Sequence, residues 1–149
     1  MRRSTNPLVL ASAAFVAAGG YIHLREWLET YRDVPSEAPG AFVVRLGFPV
    51  NAGVSLLIAI ALVATVFVAQ QVQPLVIVTA FLFQAGSLAV LIGTRIGTVF
   101  GWTEPGWSPG ATQTRAVEIA AMVCLAAAFA LTVRRAPAEM LSAPRPVRL

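Results

Sequence analysis

The sequence predicts an all-α protein, a four-helix transmembrane bundle, and three observations carry that prediction. Of its 149 residues, 57% belong to the apolar set and 12% are charged, about half the ~25% usual in soluble domains. The apolar residues gather into four runs, at 7–28, 41–69, 74–94 and 116–133, each at or above the ~18 residues that mark a membrane-spanning helix. Polar and turn-forming residues fall between the runs. Too few polar side chains remain to cover a soluble surface, which excludes a soluble enzyme, a disordered chain and a disulfide scaffold.

The first run begins with Asn6 as a candidate N-cap and Pro7 in the first helical turn, where a missing N–H costs nothing. Arg2 and Arg3 ahead of it, with Ala18, Gly19 and Gly20 further on, imitate a signal peptide. The helical pattern nevertheless continues through Tyr21, Ile22, Leu24 and Trp27, which favours a retained span. Residues 29–40 are polar and turn-rich. The second run contains Pro49 and Gly53, residues that bend a helix. The QQVQ link at 70–73 is short enough to make spans two and three an antiparallel hairpin. A Gly/Pro-rich loop at 95–115 carries Trp102 and Trp107 and leads into the fourth run. Residues 1–133 thus form a single membrane domain, and 134–149, rich in Arg and Pro, form a disordered cytoplasmic tail.

The net charge is +4, and all eleven basic residues are arginines. They stand at the ends of apolar runs, where membrane orientation is set, so nucleic acid is not an expected partner. With four spans both termini share a side. Arg2, Arg3, Arg134, Arg135, Arg145 and Arg148 lie there, and Arg25, Arg32, Arg45, Arg95 and Arg115 lie opposite. The positive-inside rule then puts both termini in the cytoplasm. Cys124, the single cysteine, lies within an apolar run and reads as a small buried residue. Trp27, Trp102 and Trp107 suit the outer interfacial belt.

Polar residues converge on one outer-leaflet layer. His23 and Glu26 close span one, Arg45 opens span two, Arg95 closes span three and Glu118 starts span four. Intramembrane ionisable groups are costly unless paired or wetted, which makes these five a candidate ligand-binding set. The alternative is structural: Arg95 and Arg45 neutralise Glu118 and Glu26, while Asn51 and Gln84 bond between helices. His23 and Glu26, three apart on one helix face, with Glu118 could begin a metal site, but one histidine and two carboxylates are an incomplete set. Neither a metal nor a resident cofactor is expected. An imidazole, arginines and a Trp-lined loop suit a quinone or a lipid headgroup better. Ala116, Ala120, Ala126 and Ala130, and more weakly Gly93, Gly97 and Gly101, offer small-residue faces for close helix approach, within the chain or with a partner. No nucleophile–base set or phosphate-cradling loop is present, so no catalytic residues are assigned.

Two segments carry a family likeness. One is His23-Leu24 followed by Pro39-Gly40-Ala41-Phe42. The other is Gly93-Thr94-Arg95-Ile96-Gly97 with Phe100-Gly101, a Trp/Pro/Gly loop and then Glu118. Over about residues 21–133 this resembles a group of small four-span membrane proteins of actinobacterial type, with the pattern H-L, P-x-x-G-x-F, S-R-T-x-G-x-P-x-G and a glutamate in the last helix. Gly93-Thr94 precede Arg95 here, and Ile96 and Val99 replace a threonine and a proline. The resemblance implies the architecture and the polar layer, and implies no reaction.

The resulting expectation is a multi-pass protein of the bacterial inner membrane, not an enzyme. It would act as an accessory or interaction subunit, in contact with the lipid bilayer and with a membrane-protein partner or a second copy. The alternative is a ligand-binding or redox protein holding a quinone, lipid headgroup or metal at the outer leaflet.

Overall fold

A computed structural model describes residues 6–104 and 106–142. Among them four long helices run antiparallel in sequence: α1 (Asn6–Glu26), α2 (Ala41–Phe67), α3 (Gln73–Ile96) and α4 (Pro109–Ser142). All four are long and apolar enough to cross a membrane, so the chain is an all-α, multi-pass membrane protein. The spanning segments have 26 or 27 residues. At ~1.5 Å per residue each is ~40 Å long, more than the ~30 Å hydrocarbon core.

α1 is the hub. It packs against α2 on one side and α4 on the other, while α3 leans on α4 and touches α2 more sparsely. α1 and α2 come close at Gly20, where an added Cβ would stand 2.7 Å from the Ser55 Cβ. The dry core lies toward the termini. Val9, Ala13 and Val16 on α1 meet Leu62 and Val66 on α2, Ile77 and Ala80 on α3, and Ala121, Leu125 and Ala128 on α4. Each set recurs at three- and four-residue spacing, the stripe that one helix face presents to its neighbours.

α1 does not stop at Glu26. It widens into a π-helical turn, Trp27–Tyr31, and ends near Arg32. This turn aims the Trp27 indole at α2, where Nε1 donates to the Arg45 carbonyl at 3.1 Å. The match is specific: Pro49, four residues beyond Arg45, has no N–H to give that carbonyl. The indole supplies the hydrogen bond that the proline removes, which a non-aqueous surrounding requires. Trp27 is therefore a repair to α2, beyond the belt role its position suggests.

Three expectations need correction. α4 begins at Pro109, seven residues before the expected 116. Ser108 caps it, its Oγ accepting from the Ala111 N–H at 3.0 Å, and Pro109 follows the cap. Glu118 then lies nine residues into the helix, ~13 Å below its start, and not at its mouth. Second, of the two roles open to the small alanines, packing within the chain fails at 116, 126 and 130, which are exposed, and approach to a partner stays open. The face packed inside the bundle is Ala111, Thr114, Glu118, Ala121, Leu125 and Ala128. Third, the α2–α3 hairpin turns at Gln70–Val72 as expected, yet its arms separate toward the far loops. Gly47 and Gly86 face that gap, and a Cβ at either would touch nothing within 4 Å. At the other end α4 runs helical to Ser142, and the rest of the expected disordered tail, 143–149, lies outside the described residues.

Candidate functional site

The gap between α2 and α3 is a cleft of about 610 Å³ in the loop-side half of the bundle. α2 lines it from Phe42 to Asn51 and α3 from Leu82 to Arg95. Its outer lips, Phe42, Leu46, Val50, Leu82 and Val90, are 41–64% exposed and would face lipid, so the cleft opens sideways through the flank of the bundle. The inner wall is aromatic. His23 meets Phe48 edge-on at 5.1 Å, Phe48 lies 4.5 Å from Tyr31, and Tyr31 meets Trp102 edge-on at 6.4 Å.

A tight turn roofs the cleft. Val99 and Trp102 exchange both backbone hydrogen bonds at 2.9 Å, leaving Phe100 and Gly101 as the two turn residues, both at positive φ. That is the conformation of a type I′ turn, which suits Asn-Gly and strains a phenylalanine. Gly101 is needed because it lies on Gly40, with its own hypothetical Cβ 3.2 Å from the Gly40 nitrogen. Gly40 in turn is at φ +70°, and a Cβ there would strike the Trp102 backbone. The two loops are thus locked glycine to glycine, and Phe100 is held out beside Phe42 at 6.1 Å.

Behind the inner wall runs a polar network. Ser55 Oγ donates to Asn51 Oδ1 (3.1 Å), Asn51 Nδ2 to Ser87 Oγ (2.8 Å), and Ser87 Oγ to Glu118 Oε1 (2.6 Å). His23 Nε2 lies 3.4 Å from the same oxygen. The three donations from Ser55, Asn51 and Ser87 run in one direction, and Glu118 Oε1 is the point where α1 and α3 meet. Glu118 is 1% exposed and His23 8%. At that burial each polar group needs a partner, and the two side chains supply one to each other. His23 also lines the cleft, and its Nδ1 has no partner among the described residues. An imidazole with one nitrogen left unbonded therefore stands at the wall of an apolar cleft.

Of the five candidate residues, the structure joins His23 to Glu118 and places Arg95 higher on the same cleft. It separates the other two. Glu26 pairs with Arg25 at 3.3 Å and sits at the first turn of α4, so close to Gly110 that a Cβ there would overlap its carboxylate. That position suits an acid, because helix N-termini carry partial positive charge. Arg45 contributes its carbonyl to Trp27 and does not line the cleft. The expected pairings of Arg95 and Arg45 with Glu118 and Glu26 are replaced by His23 with Glu118 and Arg25 with Glu26. Depth is the reason. Arg95 lies eight residues beyond Ser87, the α3 residue at the Glu118 level, hence ~12 Å away along the helix. Among the described residues no three metal-ligating side chains converge.

Asn51 bonds between helices as expected. Gln84 is buried, but its Nε2 has no partner among the described residues. Ser87, Tyr31 and Glu104 were missed. Ser87 shares the α3 stripe of Gln84, Leu91 and Thr94, and that spacing was the available signal. Glu104 accepts from Trp102 Nε1 at 3.0 Å and lies against the Tyr31 hydroxyl. Comparison of the chain with protein-family models, curated proteins and solved structures gave no match.

Proposed function

We propose that this multi-pass membrane protein binds a lipophilic molecule, taken from the bilayer through the side of the bundle into the α2–α3 cleft. One observation carries the reading: an apolar cleft of about 610 Å³ between two spanning helices, with His23, Asn51, Ser87 and Arg95 on its walls. Ligand sites are typically ~300–1,000 Å³, mostly apolar, with a few convergent polar groups. This favours the ligand-binding alternative over the accessory-subunit reading. The latter keeps one support, the outward alanines at 116, 126 and 130 of α4, a face that a second membrane protein or a second copy could approach closely. The arginine distribution supports cytoplasmic termini in a bacterial inner membrane, and on that orientation the cleft would lie in the outer leaflet. The His23-Leu24, Arg95-to-Gly101 and Glu118 segments support membership in the actinobacterial four-span group.

Native mass spectrometry of the protein extracted from its own membrane in mild detergent tests the binding reading. A small lipophilic adduct is expected on the wild type and absent from Gly86→Leu, whose new side chain would fill the cleft without striking a neighbour through its Cβ. A protein adduct of defined mass, with no small adduct, would restore the accessory reading.

A further inference from the structure

We infer that the occupant of the cleft is an anionic lipid, its charged head docked on Arg95 and its chain lying between α2 and α3. The inference rests on the cleft being a binding site and concerns which chemistry it accepts. Arg95 is the one guanidinium among the lining residues. Nη1 donates to Thr94 Oγ1 at 2.7 Å and to the Leu91 carbonyl at 3.3 Å, which fixes the head of the side chain. Its Nε is buried and has no acceptor among the described residues, and no carboxylate there comes within 4 Å of it. Glu104, the acid on the same lining, accepts at Oε2 from the Trp102 indole N–H.

Trp107 holds this charge in place from outside. Its ring lies 5.6 Å from the Arg95 guanidinium carbon and 4.4 Å from that of Arg115. Two cations therefore share one indole, and neither has an ion-pair partner among the described residues. A fixed, unneutralised guanidinium at the edge of a membrane calls for an anion, and its planar donor fork matches carboxylate and phosphate oxygens. A quinone carbonyl would accept one N–H and leave the charge uncompensated. The deeper polar network makes no such demand, because His23 and Glu118 answer each other. From Arg95 the lining of α3 extends to Leu82, ~20 Å along the helix axis, the scale of one ~15 Å leaflet. A head at Arg95 thus leaves its chain alongside Val90, Gly86 and Leu82.

The test uses the full chain in phosphatidylcholine vesicles, with quenching of tryptophan fluorescence by spin-labelled lipids, since Trp102 lines the cleft. The probes are spin-labelled stearic acid, its methyl ester, and spin-labelled phosphatidylglycerol and phosphatidylcholine. An anionic probe is expected to associate about tenfold more tightly than its neutral counterpart. Preference for the acid alone assigns a carboxylate head, for phosphatidylglycerol alone a phosphate head, and for both the chemistry they share. Arg95→Gln should abolish the preference and leave the neutral probes unchanged, Arg95→Lys should keep much of it, and an unshifted thermal transition checks the fold. Equal binding of anionic and neutral probes, survival of the preference in Arg95→Gln, or its loss in Arg115→Gln alone would overturn the assignment. Neutral probes excluded by Gly86→Leu would then still leave the cleft a binding site. If Gly86→Leu alters the binding of none of the probes, both readings fall.

Discussion

The two halves of the bundle are built from the same four helices and solve opposite problems. Toward the termini, Val16, Leu62, Ile77 and Leu125 interlock with scarcely any exposed surface. Toward the loops, Gly47 and Gly86 withhold side chains, α2 and α3 part, and polar groups replace apolar ones at the interior positions. In lipid, apolar association between helices comes from packing and not from escape from water. The packed half can therefore hold the helices together while the loop half stays open, with hydrogen bonds in place of contact area. Stability and an accessible cleft coexist because they are separated along the membrane normal.

Truncations should separate the halves most widely. Leu125→Ala, at a fully buried position, should cost ~2–5 kcal/mol in a bicelle unfolding titration. Leu82→Ala, on the exposed lip of the cleft, should cost less than ~0.5 kcal/mol. Similar costs would show that the halves are equally packed. Next in size, Glu118→Ala strands the donors of Ser87 and His23 and should cost ~1–3 kcal/mol. Glu118→Gln, which keeps an acceptor oxygen, should cost clearly less, and equal losses would rule out the acceptor role.

A smaller effect tests how the loop-side half is held together. Trp27→Phe should cost ~1 kcal/mol by orphaning the Arg45 carbonyl. In a Pro49→Ala background, where an N–H is restored to the helix, that cost should shrink, and a double-mutant cycle with no coupling would refute the repair. The smallest effect lies in the solvent-facing loop. Glu37 is held below the usual carboxylate range by its own backbone N–H, then by the Ser36 hydroxyl at 2.8 Å, with Arg45 adding attraction. A depressed acid stabilises the fold above its unfolded pKa and loses that contribution as pH falls through the folded one. Ser36→Ala should move the Glu37 carboxyl resonance titration upward in pH, with no measurable change in bundle stability.

The sequence foretold most of the packed half and little of the open one. Four uninterrupted apolar runs leave few alternatives, and their ends fall within a few residues of the helices, except at α4. There Ser108-Pro109, a cap and a first-turn proline, was concealed by the glycines and prolines around it. His23, Arg95 and Glu118 stood out because charges inside apolar runs are rare. Their partners did not, since pairing acids with bases by charge ignores depth and helix azimuth. Ser87 and Ser55, which carry the network between helices, are too common in membrane helices to attract notice. The cleft itself is an absence of side chain, legible only once Gly47 and Gly86 are known to face each other's helix.

The central place of α1 has a consequence for how the protein is made. Its polar partner on α4 lies 95 residues later in the chain, and synthesis at ~5–20 residues per second separates their appearance by ~5–19 s. During that interval His23 waits within the membrane with no carboxylate to meet it. α3, which leans chiefly on α4, is equally unsupported. α1 and α2 can pair as soon as both are inserted, but the bundle cannot close until α4 arrives. Its last helix is the keystone, and a chain cut short before Glu118 would present the membrane's quality-control proteases with a bare intramembrane imidazole.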